Sequence, residues 1–148
     1  MAYNPNNPNG RAAAINSAPV VLANDVISSF SVAEATTGGA SVFRLISTAS
    51  SIPVPVKASA AGKVTGWYIY NSAGTVRVLR FFNAALTPGS AINPYLTIPI
   101  PALSAANCPF PAGIDFPLGI HVAVTTTLDD VTVTAGAAND LIINISYK

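Results

Sequence analysis

Apolar and polar residues alternate with a period of two along most of the chain from about Phe30 onward. The stretches YLTIPIP, GIHVAVTT and DLIINISYK each place their branched apolar residues on one side. Because successive side chains of a strand point to opposite faces, this pattern predicts half-buried β-strands. No segment of ordinary helix length has a period of 3.6 residues, so we predict an all-β protein.

Prolines and glycines separate nearly all of these runs. Many short strands with turn signals between them predict an antiparallel β-sandwich, jelly-roll-like, of about eight strands. Pro99 lies within YLTIPIP and lacks an N–H donor, which places that strand at a sheet edge. Within GWYIYNSAGTVRVLRFFNA, Asn71 and Gly74 predict a tight hairpin that joins the two flanking strands.

The first 28 residues differ from the rest and predict an extended N-terminal arm. Pro5, Pro8 and Pro19 remove backbone donors, and Asn9-Gly10 is a turn signal. Ordering about 25 residues costs at least roughly 25 kcal/mol, and the Pro/Asn segment has little apolar area with which to offset that cost. We therefore predict an arm over residues 1–28 that a partner orders, followed by one sandwich domain over residues 29–148.

The chain of 148 residues carries few charges. Only 9% of its residues are charged, against about 25% in ordinary domains, whereas 51% are hydrophobic and the net charge is +1. This balance favours a surface coated by Ser, Thr, Asn and Gly, together with faces that are covered in a permanent assembly. Arg77 and Arg80 fall on opposite faces of one strand, so they form no basic patch, and we expect no nucleic-acid partner.

Membrane association and export by the usual route are not expected either. No apolar run reaches the roughly 20 residues that span a bilayer, and the first residues lack the basic-then-apolar pattern of a secretory signal. The single cysteine excludes an internal disulfide. We expect synthesis in a cytoplasm and stability from packing alone.

The sequence contains no recognisable catalytic, metal or cofactor site. His121 is the only histidine, and its position on the polar face of a strand predicts a surface or interface residue. Cys108 has no cationic neighbour in sequence, which favours a buried or half-buried structural side chain. Asp129, Asp130 and Asp140 lack the spacing of a calcium loop, so we assign them to loop solvation and turns. We predict neither an enzyme nor a cofactor.

The aromatic residues of GWYIY are the candidates for a contact surface. Trp67 shares a face with Ile69 and is predicted to lie in the core, whereas Tyr68 and Tyr70 share the opposite face. Exposed tyrosines supply flat apolar area with a polar tip. They are therefore compatible with a subunit interface and with sugar stacking, and both alternatives remain open.

The stretches NPNGRAAAINSAPVVLAND, TGWYIYNSAGTVRVLRFFNAA, LTIPIPA, FPLGIHVAVTTTLDD and ANDLIINISYK together resemble small virion proteins of tailed bacteriophages. Those proteins usually open on NPNG followed by NSAPVV and close on a strand ending in Tyr-Lys. The resemblance covers most of the chain and implies a structural component made in many copies. The chain lacks the longer polar loops that relatives often carry, which disfavours a receptor-binding tip.

The resemblance and the low charge together predict a capsid decoration (cement) subunit, located in the virion and assembled in the host cytoplasm. Its partners would be the major capsid protein or other virion proteins, and copies of itself in a homo-oligomer. The predicted contact residues are Tyr3, Asn4, Pro5 and Arg11 of the arm, and Tyr68 and Tyr70.

Other functions remain as alternatives to a decoration subunit. One is a neck, collar or tail accessory protein. Another is a carbohydrate-binding adhesion module, in which Tyr68 and Tyr70 stack on sugars. An enzyme such as a depolymerase is disfavoured, because the sequence offers no carboxylate pair and no nucleophile–base set.

Overall fold

The computed structural model describes residues 39–89, 93–129 and 134–148. The chain divides into two units, Met1–Thr37 and Gly38–Lys148, and the described residues belong to the second. The predicted arm over residues 1–28, and its boundary with the sandwich domain at residue 29, lie outside the described residues.

The described residues form β-strands and no helix. The eight strands are β1 (Ser41–Ile46), β2 (Val54–Lys57), β3 (Gly62–Asn71), β4 (Arg77–Asn83), β5 (Leu96–Ile100), β6 (Ala105–Phe116), β7 (Ile120–Thr125) and β8 (Leu141–Tyr147). The period-two alternation therefore predicted the correct type of secondary structure for this part of the chain.

The strands form two four-stranded sheets, which we name sheet A (order β1-β8-β3-β6) and sheet B (order β2-β7-β4-β5). All strand pairs are antiparallel. β1 pairs with β8 and β3 with β6 in sheet A, whereas β2 pairs with β7 and β4 with β5 in sheet B. The described chain thus folds back on itself between β4 and β5, so that β1 pairs with β8, β2 with β7, β3 with β6 and β4 with β5. Successive pairs lie alternately in sheet A and sheet B.

One apolar core takes side chains from both sheets. Leu141, Ile143 and Ile145 of β8 are fully buried, as their alternation with polar residues predicts. Phe81 of β4 lies with its ring centroid 5.7 Å from that of Trp67 on β3, so the two sheets are in direct contact. Each fully buried side chain of this kind contributes about 1.5–3 kcal/mol relative to an exposed one.

The edge position predicted for the strand containing Pro99 is confirmed. Strand β5 lies at the edge of sheet B, and Pro99 is opposite Val78 of β4. A proline is tolerated there because an edge strand needs only half of its backbone groups for pairing.

The predicted hairpin at NSAG is wrong, because β3 lies in sheet A and β4 in sheet B. The side chain of Asn71, which is fully buried, holds the segment that crosses between the sheets. Its Nδ2 donates to the carbonyl oxygens of Thr75, Ile100 and Pro101, each at 3.0 Å. Its Oδ1 accepts the N–H of Ala73 at 2.9 Å. The asparagine thus makes a turn, but the turn joins two sheets rather than two paired strands.

The outer faces of the two sheets differ in exposure. On β4 and β7, the central strands of sheet B, the side chains that alternate with the core-facing ones are buried; they are Val78, Arg80, Phe82, His121, Ala123 and Thr125. On sheet A, the corresponding side chains of β1 and β3 are exposed; they are Val42, Arg44, Ile46, Tyr68 and Tyr70. Sheet A therefore presents the open sheet face of the described residues.

We expect Asn71→Ala to lower the free energy of unfolding by about 2–4 kcal/mol, because buried carbonyls lose their donor and each unpaired group costs about 1–3 kcal/mol. Urea denaturation followed by tryptophan fluorescence measures this change. The matched control is Asn107→Ala, which removes an exposed amide on β6 and should change stability by less than about 0.5 kcal/mol. Equal effects of the two substitutions would contradict the role assigned to Asn71.

Candidate functional site on the outer face of sheet A

The strand register brings a tyrosine and two amides together on the outer face of sheet A. Tyr68 of β3 lies opposite Asn107 of β6 on one side and opposite Asn144 of β8 on the other. Asn144 in turn lies opposite Arg44 of β1. Residues directly opposite one another have Cβ atoms about 4.5–5.5 Å apart. The four side chains therefore form one row across all four strands, and Tyr70 stands beside it in the neighbouring row.

The two tyrosines share an exposed face, as the alternation in GWYIY predicted. Tyr68 is 50% exposed and Tyr70 is 37% exposed. Ile69 between them is fully buried, and Trp67 packs partly buried against the core. Trp67, which was predicted to lie in the core, packs against it and is only partly buried. The tyrosines are therefore available to a partner, and they are more exposed than the tryptophan.

A shallow concavity of about 300 Å³ lies beside Tyr68, over Gly66. The register of β3 with both of its neighbours shifts between Val64 and Gly66. A Cβ atom at Gly66 would lie 3.1 Å from the carbonyl oxygen of Cys108 and 3.4 Å from the Cα of Pro109. A Cβ atom there would be in unusually tight contact with the backbone of β6, and the glycine leaves a notch in the face.

The chemistry of this face suits a flat, uncharged or weakly anionic ligand. Tyrosine rings supply apolar area, and the amides of Asn107 and Asn144 each offer donors and an acceptor. Arg44 is the charged member of the row across Tyr68. Among the described residues, no group of three His, Cys, Asp or Glu side chains is placed to hold a metal ion. The face can therefore bind by stacking and hydrogen bonding.

Two of the aspartates that the sequence singled out, Asp129 and Asp140, differ in exposure. Asp140 is buried, and its Oδ2 accepts hydrogen bonds from Arg77 Nε and from the N–H of Ala137. Asp129 is exposed, and Asp130 lies outside the described residues. Asp140 thus stabilises the turn before β8, in agreement with the turn role predicted for it.

Cys108 is half-buried on β6, opposite Trp67. This agrees with the prediction of a buried or half-buried structural side chain. The predicted arm contacts are not described by the structure: Tyr3, Asn4, Pro5 and Arg11 lie outside the described residues.

The prediction that His121 is a surface or interface residue is wrong, because the residue is 1% exposed within the chain itself. Its outward-facing position on β7 lies opposite Phe82 on β4, on a face of sheet B that is itself buried. Burial lowers the pKa of His121 below its usual 6.5, and a backbone hydrogen bond with Ala84 opposes that shift. Its Nδ1 has no hydrogen-bond partner. The histidine is thus a buried neutral side chain.

Arg80 is a second buried polar residue that the sequence did not reveal. It lies on the same face as His121, is 1% exposed, and donates from Nη2 to the backbone carbonyls of Thr127 and Asp129. Its Nε has no partner. Alternation placed Arg77 and Arg80 on opposite faces of one strand, and only the tertiary structure reveals that both faces of β4 are covered.

The lysines of the chain form a cluster that sequence reasoning missed. Lys57, Lys63 and Lys148, the only three lysines in the sequence, line one concavity of about 480 Å³. Lys63 pairs with Asp115 at 3.3 Å, and the Cδ of Lys57 would be 2.9 Å from a Cβ at Gly62. The lysines are far apart in sequence, so no local pattern signalled the cluster. Dissolved salt weakens the attraction between exposed lysine ammonium groups and anions, so any anion binding by this cluster would decrease at high ionic strength.

Comparisons with protein-family models, with curated proteins and with solved structures found no match. In the described part of the chain, no helix is long and apolar enough to cross a membrane. The function must therefore be argued from the residues and their arrangement.

We expect stability to fall as the pH drops below 6.5, because the unfolded chain binds a proton at His121 that the folded protein accepts only at lower pH. The loss between pH 7.5 and 5.5 should be at most about 1.4 kcal/mol from this residue. Urea denaturation at the two pH values measures it. The His121→Gln variant is the control, and it should show a smaller pH dependence. An identical dependence in both proteins would contradict the assignment.

Proposed function

We propose that this chain is a non-enzymatic virion structural protein of a tailed bacteriophage, a capsid decoration (cement) subunit that binds the head surface and stabilises it by non-covalent clamping. The observation that carries the proposal is an exposed, tyrosine-centred sheet face on a chain with few charges. The resemblance of the sequence to small phage virion proteins points in the same direction.

Strand order supports a jelly-roll sandwich as the scaffold. The pairs β1–β8 and β3–β6 lie in one sheet, and β2–β7 and β4–β5 lie in the other, so the folded-over chain winds through both sheets in turn. Jelly rolls of eight strands occur in viral capsid proteins and in lectins. A shared fold does not imply a shared function, so the proposed function rests on the residues of the exposed face of sheet A.

The composition of that face supports a protein partner. Cores of protein interfaces are depleted in charged residues, and tyrosine and arginine are enriched there. The row across sheet A contains Tyr68 between two asparagines, with Arg44 at its end, and Tyr70 adds a second ring. A face of this kind can be desolvated against a capsid surface without burying an unpaired carboxylate.

Clamping needs contacts on more than one neighbouring capsid protein, and the arm is the proposed second contact. Its proposed contact residues are Tyr3, Asn4, Pro5 and Arg11. One subunit would then bridge two capsomers, with the sheet face on one and residues 1–28 on the other. A neck, collar or tail position uses the same contacts at lower copy number.

We expect purified particles of the phage that encodes this chain to contain it at a copy number comparable to that of the major capsid protein. Quantitative mass spectrometry measures this ratio. A ratio far below that value would favour the neck, collar or tail, whereas absence from particles would refute a virion role.

The contact residues are tested by adding purified protein back to particles that lack it. A Tyr68→Ala/Tyr70→Ala variant should bind at least about tenfold more weakly, since aromatic anchors of interfaces contribute more than 1–2 kcal/mol. Tyr95→Ala is the matched control, because Tyr95 is similarly exposed (54%) and lies outside strands β1, β3, β6 and β8. A chain that begins at Asn24 tests the arm, and undiminished binding by it would contradict the second contact.

A carbohydrate-binding adhesion module is the second candidate function. It is favoured by the placement of Tyr68 between Asn107 and Asn144 beside the notch at Gly66. A sugar ring stacks on an aromatic face while its hydroxyls bond to flanking amides.

If this second function is correct, the purified protein should bind defined structures on a soluble glycan array, and Tyr68→Ala should abolish the signal because it removes the stacking surface. Tyr95→Ala should leave the signal unchanged. If the protein binds particles but no glycan on the array, the decoration role is the one supported. If it binds glycans but not particles, the adhesion function is favoured.

A further inference from the structure

Three of the four sheet edges of the described fold carry prolines. The edge strands are β1 and β6 in sheet A, and β2 and β5 in sheet B. Pro55 lies in β2, Pro99 in β5, and Pro109 and Pro111 in β6. Proline on an edge strand removes a donor and discourages pairing with another chain. β1, with the sequence SVFRLI, contains no proline, so its edge alone lacks this protection.

The free edge of β1 presents a regular set of backbone groups. The N–H of Ser47, just after β1, donates to the carbonyl of Leu141 at 2.9 Å. Hydrogen-bonded and non-bonded positions alternate along an antiparallel pair. Val42, Arg44 and Ile46 therefore direct their N–H and C=O groups away from β8. No described residue pairs with that side of β1.

The bonding of β8 to its other neighbour supports this assignment. Lys148 and Lys63 exchange two backbone hydrogen bonds, at 2.8 and 2.9 Å. The backbone groups of Lys148 thus face β3, and those of Tyr147 face β1 at the position of Ser41. By the same alternation, the backbone N–H and C=O groups of Phe43 and Leu45 face β8, and those of the residues between and beside them face the open edge.

The side chains of β1 also remain incompletely covered. Val42 is 68% exposed and Ile46 is 38% exposed on the outer face. Phe43 and Leu45 point toward the core but are only half-buried. A further strand on this edge would satisfy the free backbone groups and would also extend the core over Phe43 and Leu45.

We propose that β1 pairs antiparallel with β1 of a second copy of this chain, which joins two copies of sheet A into one eight-stranded sheet. A second copy is favoured because the described part of each copy has one edge without proline. Pairing between such edges gives a closed two-fold dimer, whereas growth beyond two copies would need one of the edges that prolines protect. The inference does not depend on the proposed virion role.

Charge and overlap select one register for this pairing. The outward-facing N–H and C=O groups of the two β1 strands lie opposite one another when the two-fold axis of the dimer passes beside Phe43, Arg44 or Leu45. An axis at Arg44 would set two guanidinium groups directly opposite, which is destabilising. An axis at Leu45 would pair few residues within β1. With the axis at Phe43, five residues of β1 are paired, and Arg44 lies opposite Val42 of the second copy.

The dimer gives the candidate site a second contact point. Directly opposed residues of an antiparallel pair project to the same side of the sheet. The faces bearing Tyr68 and Tyr70 would therefore lie on the same side of the joined sheet. Two linked sites of this kind raise the overall affinity for a repetitive surface beyond that of either site.

The proposal is tested by sedimentation equilibrium of the full chain over a range of concentrations. The wild-type protein should sediment at twice the mass of the chain. Arg44→Pro, which removes an N–H on the open edge of each copy, should weaken association at least about tenfold, since two symmetry-related hydrogen bonds are lost and their partner carbonyls are left unpaired. Arg44→Ala keeps the N–H and should remain a dimer. Circular dichroism verifies that both variants are folded.

The register is tested by cross-linking in a Cys108→Ser background, which also covers the case in which Arg44→Pro does not fold. Phe43→Cys should form an intermolecular disulfide on mild oxidation, because the two copies of this position would be a close, non-hydrogen-bonded pair. Leu45→Cys should not, because its two copies would lie roughly 13 Å apart along the strands.

Four outcomes would overturn the proposal. They are a monomer at all concentrations, a dimer that Arg44→Pro does not weaken, open-ended polymers, and cross-linking at residue 45 as efficient as at residue 43. A monomer would leave the edge of β1 to another segment of this chain or to a different protein.

Discussion

Burial of one face of every strand in a common core is the constraint on which the rest of this structure depends. The core takes its side chains from both sheets, and Phe81 of β4 contacts Trp67 of β3 across them. Because the core-facing positions are fixed by alternation, a slip of one residue in any strand would turn its apolar side chains to solvent. The register is therefore strongly specified, and it determines which outward-facing residues become neighbours.

The candidate site follows from that register. With Ile69 buried in the core, Tyr68 must point outward, and pairing sets it between Asn107 and Asn144. The notch at Gly66 has the same origin, since the register of β3 shifts there and a Cβ atom would lie only 3.1 Å from the backbone of β6. A binding face thus results from packing on its opposite side, and it needs no catalytic group to recognise a partner.

Low charge makes edge protection important in this fold. Charged side chains are a common means of keeping sheet edges apart, and only 9% of the residues here are charged. Prolines in β2, β5 and β6 serve that purpose instead. The proline-free edge of β1 and the exposed tyrosines of β3 lie in the same sheet. A subunit that associates through one edge and contacts a surface through the adjoining face is consistent with a role in assembly.

The sequence by itself determined that the described residues form strands and no helix, that the strand with Pro99 lies at a sheet edge, and that Tyr68 and Tyr70 share a face, because each depends on a local period or on one residue's backbone chemistry. Only the tertiary structure decided that NSAG joins two sheets, that His121 and Arg80 are buried, and that Asn107 and Asn144 flank Tyr68. Alternation specifies two faces for a strand but not what covers them. Residues distant in sequence become neighbours through long-range pairing, which no local pattern encodes.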